Sequence, residues 1–496
     1  MEPQVWEPCR YEAADWSMEH HPVWIPGVPV PCESTEMACL EETLVARSSE
    51  RGKQQQLFQY YTAAASTPSY EDDPFGVFER KALELEHDND QWGRKMHRYP
   101  ENIGEVGEQY TVPMMVSIGP YHHGRHHLKK AEEAKHVAAY SCIKHSGLSV
   151  QEMYHAVVSV AGEARSLYDR DTMAGIGDDD FLPMMFYDAC FLVQFMLWST
   201  RKGTMQLQMH PWLDYFLKSK KGDIYHDILL LENQLPWVVL KTLASCTSLN
   251  LESFAKGFQL HNSGIHVVVP NLDLEEAATT SSSALYKPPH LLGYVRFHIV
   301  GTEKSETYQP HKETKVKSFS VRAMELAEMG ITLTPSKTTK LAHMGFKEGR
   351  LSAELFLPPV LLTYARASYL FNMAAFEMTS QARPEHAGED TAVCSYVQLL
   401  GMLMDREQDV QELRSKRILQ GGGGLTDKET LDFFTSLRVL RGPLYHRTIR
   451  DVEMYKQNSR TWVKVYVFWY KYKKTVLAVL SGIAALFGIY GALSKR

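Results

Sequence analysis

The sequence predicts a mainly α-helical globular body with short β or extended pieces and one C-terminal transmembrane helix. Three observations predict it. Apolar residues recur at helical spacing through most of residues 96–440, residues 476–493 carry no charge, and one region, 341–362, alternates in the manner of short strands. Of the 496 residues, 44% are hydrophobic and 11% aromatic, which supplies a sizeable core and excludes a wholly disordered chain. With 53 Lys+Arg against 59 Asp+Glu, the net charge of −6 argues against a nucleic-acid partner, which calls for a basic domain.

Taken in order, residues 1–94 are rich in Glu, Gln, Pro and Ser, include Gln54-Gln55-Gln56, and read as a disordered extension with a short helix near Met37–Arg47. A helical body is expected over 95–475. Met153, Val157, Val160, Ala161, Ala164 and Tyr168 fall on one helix face. The segment Phe181–Trp198 is apolar almost all round, which places it at the centre of the body. A third helix through Ile224–Leu243 contains Pro236, which kinks or divides it.

Residues 271–317 are rich in linkers. Thr279-Thr280-Ser281-Ser282-Ser283 and the charged stretch Glu303–Lys317 flank a short apolar piece, His290–Val300. A second helical region follows from Phe319 to Leu440, with Gly330 closing a helix over Val321–Met329. Leu341–Leu362 is expected to form a short hairpin or extended pieces, and Gly421–Gly424 a flexible loop.

The seven cysteines are odd in number, scattered and without a C-x-x-C pair, so neither a disulfide framework nor a cysteine zinc site is expected. Cys190 lies in an apolar run and reads as a small buried hydrophobe. Near the N-terminus, Val23-Trp24-Ile25 is broken at once by Pro26, so no signal-peptide core forms. No Asn-x-Ser/Thr sequon occurs. A reduced, cytosolic body is the expectation.

The stretch Val476–Leu493 is long enough, at 1.5 Å per residue, to span about 27 Å of a ~30 Å hydrocarbon layer. Its Val, Leu, Ile and Phe residues, among them Val476, Leu480, Ile483, Leu486, Phe487 and Leu493, together favour insertion by about 3–5 kcal/mol. Trp469, Tyr470 and Tyr472 stand where an interfacial aromatic belt belongs. Lys471, Lys473 and Lys474 precede the span, and Lys495 and Arg496 follow it. The alternative is a buried core helix, which the flanking lysines disfavour. A tail anchor with the N-terminal body in the cytosol, at the plasma membrane or an endomembrane, is the expected topology. Ala484, Gly488 and Ala492 line one face, a pattern that lets membrane helices pair as homo-oligomers.

Two clusters carry the candidate chemistry. His122, His123, His126 and His127 could hold a zinc or copper ion, which would suit a metal-dependent hydrolase. Pro120 and Gly124 argue instead for a tight turn leading into a helix near Leu128, and no H-E-x-x-H arrangement accompanies the imidazoles. Asp188, set between apolar residues, requires a partner if buried, and Arg165 on the preceding helix is the expected one. Glu232, Asn233 and Gln234 likewise interrupt an apolar run. These five residues are read as an interior polar network that fixes helix register, not as a catalytic pair. Asp178-Asp179-Asp180 is read as the N-terminal cap of the Phe181 helix. With no nucleophile elbow, phosphate loop or metal tetrad beside them, no enzyme and no cofactor is expected.

At these residues the chain resembles the plant DUF247 (UPF0481) family. The blocks Val116-Ser-Ile-Gly-Pro-Tyr-His-His-Gly124, Glu163-x-Arg165-x-x-Tyr168, Met184-Met-x-Tyr-Asp-Ala-Cys-Phe191 and Leu229-Leu-Leu-Glu-Asn-Gln-Leu-Pro236 occur in family order. Ala323-x-Glu-Leu-x-x-x-Gly-Ile331, Phe371-Asn-Met-Ala-Ala-Phe-Glu377, Ser395-Tyr396 and Asp409-Val410 continue the pattern. The resemblance covers about 96–493 and implies a single C-terminal membrane span and no established enzymatic activity. In grasses it is similar to pollen-side self-incompatibility determinants, which implies recognition of small secreted stigma proteins. The alternatives are the metal-dependent hydrolase and a generic membrane-anchored interaction protein.

Overall fold

The computed structural model describes residues 76–83, 92–104, 106–201, 209–263, 286–301, 321–349, 353–380, 391–421, 424–458, 472 and 475–485. The chain divides into two units, residues 1–83 and 84–496. Within the first, residues 76–83 form a helix. The expected helix near Met37–Arg47 and most of the proposed extension lie outside the described residues.

The second unit is mainly α-helical, as the periodicity predicts. Its first part comprises α1 (Lys129–Ser146), α2 (Val150–Ser166), α3 (Asp178–Thr200), α4 (Pro211–Ser219), α5 (Lys221–Asp227), α6 (Trp237–Ser245) and α7 (Leu251–Ser263). Helix α3 is the centre, packed by α1, α2, α6 and α7. It is long and apolar enough to cross a membrane, but most of it is buried inside the protein, which makes it a core helix. Helix α2 opens with a reciprocal cap, Ser149 accepting from Glu152 N while the Glu152 side chain accepts from Ser149 N. It buries Met153, Val157, Ala161 and Ala164 along the expected face. Pro236 divides rather than kinks: α5 ends at Asp227, and α6 starts one residue after the proline.

The second part holds α8 (Leu291–Val300), α9 (Ala323–Glu328), α10 (Tyr364–Ser380), α11 (Ala392–Leu403), α12 (Glu407–Ser415), α13 (Asp427–Ser436) and α14 (Pro443–Asn458). Gly330 follows α9 with φ 75°, the expected helix-closing geometry. The strands are β1 (Ile331–Pro335), β2 (Gly345–Glu348), β3 (Ala353–Leu357), β4 (Val360–Leu361) and β5 (Leu419–Gln420). Strands β2 and β3 make the expected antiparallel pair. β1 joins β3 in parallel, Ile331 facing Ala353, and β4 pairs in parallel with β5. Neither parallel pairing is visible as a local pattern, because each joins segments separated by a crossover.

The body begins before residue 95. Trp92, in a single 3-10 turn, donates its indole N–H to Thr379 O at 2.8 Å. The linker-rich region is interrupted by α8, and its flanks 264–285 and 302–320 lie outside the described residues, as do Gly422 and Gly423. Of the expected transmembrane span, Thr475–Ala485 is described and is helical. Leu486, Phe487, Gly488, Ala492 and Leu493 lie outside.

Candidate functional site

The segment Met114–Gly119 belongs to no helix or sheet, so its backbone N–H groups need partners elsewhere. Side chains supply them. The Asp227 carboxylate, at the end of α5, accepts from Met114 N (2.8 Å), Met115 N (2.6 Å) and Val116 N (2.8 Å). Asn233 accepts from Ile118 N at 2.7 Å and donates to Val116 O at 3.0 Å. Asp188 accepts from Gly119 N at 2.8 Å. Gly119 has φ 73°, and a Cβ there would lie 2.6 Å from Gln234 O and 2.8 Å from the Tyr168 hydroxyl, so only glycine fits.

Asp188 itself is paired with Lys135 of α1 at 2.6 Å. The two side chains are 1% and 0% exposed, so the pair is sealed from water. Lys135 also donates to Glu132 (2.7 Å) and to the Ser117 hydroxyl (3.2 Å). Burial alone would lower the lysine, but the Asp188 and Glu132 charges outweigh it and hold Lys135 above its ordinary value. Burial pushes the Asp188 carboxyl up, against the pull of Lys135.

This corrects the expected partner. Arg165 is not bonded to Asp188: it donates to Ile176 O and to Asp178, both at 2.8 Å, and its guanidinium lies over the Phe181 ring. It sits in the last turn of α2 and meets the first turn of α3, whereas Asp188 lies ten residues further along, about 15 Å by helical rise. The three aspartates 178–180 are also not the cap. Gly177 occupies that position, and the acids form the first turn, where they meet the positive end of the helix dipole.

The remaining members divide. Gln234 donates to Ile228 O and Leu230 O (both 2.8 Å) and accepts from Leu292 N (3.0 Å), while its carbonyl accepts from Tyr168 (3.0 Å). Glu232 lies at the margin, accepting from Tyr99 N at 2.9 Å with Arg98 3.7 Å away. Two further hubs escaped the sequence reading. Asn372 accepts from the Tyr99 hydroxyl (2.6 Å) and Leu231 N (2.7 Å) and donates to Tyr110 O and Ser368 O. Glu377 pairs with Arg296 of α8 at 2.6 Å and accepts from Val393 N and Cys394 N in the first turn of α11. Lys135 was legible in principle, since it shares a face with Ala131, Ala134, Ala138 and Cys142, where a solvated lysine does not belong.

These contacts bring together blocks that lie more than a hundred residues apart in sequence. Residues 96–490 match the family DUF247, described as a plant protein of unknown function. The chain belongs to the plant DUF247 family. A UPF0481 protein of Arabidopsis thaliana is 24% identical over 362 residues, covering 68% of this chain and 71% of that protein. No solved structure matches. In DUF247 terms, four of the family blocks noted above meet at Gly119: the first supplies the glycine, the second Tyr168, the third Asp188 and the fourth Gln234.

The imidazoles do not converge on a metal. His122 is buried, His123 and His126 are exposed in and beside the Gly124 turn, and His127 is bonded to Pro113 O at 3.0 Å. Among the described residues, no group of three His, Cys, Asp or Glu side chains could hold a metal ion. The turn itself is as expected, two 3-10 turns leading into α1. An apolar cavity of about 70 Å³ lies elsewhere, lined by Phe258, Leu341, Tyr369, Leu370 and Met373.

Proposed function

We propose that this chain is a non-enzymatic recognition protein held on a membrane by its C-terminal apolar helix, with its body on the cytosolic side. The observation that carries the reading is the exposure of the Thr475–Ala485 helix: Leu477 is 62% exposed, Leu480 57% and Ile483 43%. A helix that apolar would be covered in a water-soluble protein, as α3 is, and a bilayer is the cover that suits it. The uncharged stretch continues in sequence to Leu493, and three lysines precede it against two basic residues after it, which favours a cytosolic body.

The recognition reading is supported by what the ionisable groups of the family blocks do. Asp188, Asp227 and Glu377 are consumed by backbone N–H groups and buried cations, which leaves no carboxylate of this set facing a cavity that a substrate could enter. Within DUF247 we assign the chain to pollen-side self-recognition, with small secreted stigma proteins as partners. A cytosolic body then requires that such a ligand, or its signal, cross the pollen membrane.

Protease treatment of sealed vesicles carrying an N-terminally tagged chain tests the topology: the tag is digested from outside in cytosol-facing vesicles, and a protected tag overturns the assignment. Pollen-restricted transcripts and strong allelic variation are expected. Uniform expression with near-identical alleles would leave a generic membrane-anchored interaction protein.

A further inference from the structure

The His122 ring is 3% exposed, and neither of its nitrogens has a hydrogen-bond partner. A neutral imidazole carries one donor and one acceptor, so leaving both unmet in the interior is costly. Its charged surroundings are of one sign. Burial above all, and then Arg125, Arg98 and His127 around it, hold its pKa down to about 4. Arg98 is already engaged, over the Tyr121 ring at 4.4 Å and near Asp169 and Glu232 at 3.9 and 3.7 Å. The Arg125 side chain is exposed and has no ion pair among the described residues, and the same holds for Lys129 and Lys130 at the start of α1. No Asp or Glu occurs in the sequence between Glu108 and Glu132.

We propose that His122 and Arg125 bind a phosphate monoester group. A phosphate oxygen accepts the unmet imidazole N–H, and the planar guanidinium fork of Arg125 matches two further oxygens. A dianion also offsets the charge of Arg125, which has no ion pair among the described residues. A metal cation, the other ligand that histidines suggest, would sit beside the Arg98 and Arg125 guanidinium groups, and among the described residues no group of three His, Cys, Asp or Glu side chains could hold it. The site is independent of the membrane anchor, and the group could come from a lipid headgroup or from a small soluble phosphate.

Equilibrium dialysis of the full chain in detergent against radiolabelled inorganic phosphate tests this. One saturable site per chain is expected, weakened at least tenfold by R125Q and by H122F. Arg125 is exposed, so R125Q keeps the test decisive should H122F unfold; a thermal melt checks both. Displacement by a dioctanoyl phosphoinositide at far lower concentration than by its free headgroup would assign the group to a lipid, and equal displacement to a soluble ester. Absence of saturable binding, or an R125Q chain that binds as the parent does, overturns the site.

Discussion

Lys135 and Asp188 meet at 2.6 Å where neither side chain touches water, and the contact ties α1 to the central helix α3. The second oxygen of Asp188 holds Gly119 N, so one carboxylate fixes two helices and the end of the irregular segment Met114–Gly119. A buried pair of this kind contributes little relative to a well-packed apolar pair, but breaking it leaves a buried charge short of a partner.

Asp188→Ala is therefore expected to destabilise the body by about 3–5 kcal/mol, because Lys135 stays buried with Glu132 as its one remaining counter-charge and the Gly119 N–H loses its acceptor. Adding Lys135→Met should recover a large part of the loss, since the buried charge is gone; the Gly119 N–H stays unmet, while Glu132 keeps the Ser117 hydroxyl and its partial exposure to water. Urea unfolding of the two variants measures both. A folded Asp188→Ala chain of parental stability would remove the pair from its structural role.

Two glycines with nearly equal φ make a sharper comparison. Gly119 and Gly124 have φ 73° and 76°, yet a Cβ at Gly124 meets nothing within 4 Å, while one at Gly119 meets backbone and hydroxyl oxygens below 3 Å. Gly124→Ala should cost only the left-handed backbone penalty, roughly 1–2 kcal/mol. Gly119→Ala should cost clearly more and lower the thermal midpoint further. Equal midpoints would mean that the four blocks do not meet as tightly as described.

Asn372→Ala removes the hydrogen bonds that join Tyr99, Tyr110, Leu231 and Ser368. Each buried group left unmet costs about 1–3 kcal/mol, and the losses do not add. A loss of at least ~2 kcal/mol is expected in urea unfolding, and a neutral substitution would contradict the hub.

Acid should destabilise the body through its buried histidines. His290 is fully buried, its Nδ1 accepts from Gly293 N at 3.1 Å at the start of α8, and burial lowers its pKa to about 3. His97, lowered mainly by burial to about 4, acts in the same sense. A folded-state pKa below the unfolded value of ~6.5 means stability that is present above pH 6.5 and lost as pH falls toward the folded value, by up to ~1.4 kcal/mol per pH unit for each group. His290→Asn keeps an acceptor for Gly293 N and removes the titration. Urea midpoints at pH 7, 6 and 5 should fall less steeply in the variant than in the parent. Parallel slopes would exclude His290 as a contributor.

The helices were legible because their signals are local. The apolar face of α2 and the all-round apolarity of α3 each lie within one segment. The polar network was legible only as a need: Asp188 had to be paired, but its partner lies 53 positions back in the sequence, and helical rise alone excludes Arg165 once α3 is known to start at Asp178. Asp227 gave no signal at all, since an acid at the end of a short helix looks solvated until the Met114–Val116 backbone is seen to rest on it. The parallel strand pairs were hidden for the same reason, as crossovers carry no local register.

The membrane helix is the claim on which the proposed function rests, and extraction tests it most directly. Membranes carrying the full chain are washed with alkaline carbonate and floated on a density gradient, beside a chain carrying Leu480→Lys and Ile483→Lys. The parent is expected to float with the lipid and the doubly charged variant to be released, since each buried lysine opposes insertion by about 2.5–3.5 kcal/mol and the pair exceeds the 3–5 kcal/mol that favours the span. Release of the parent chain into the carbonate supernatant would contradict the anchor and, with it, the membrane-bound recognition role.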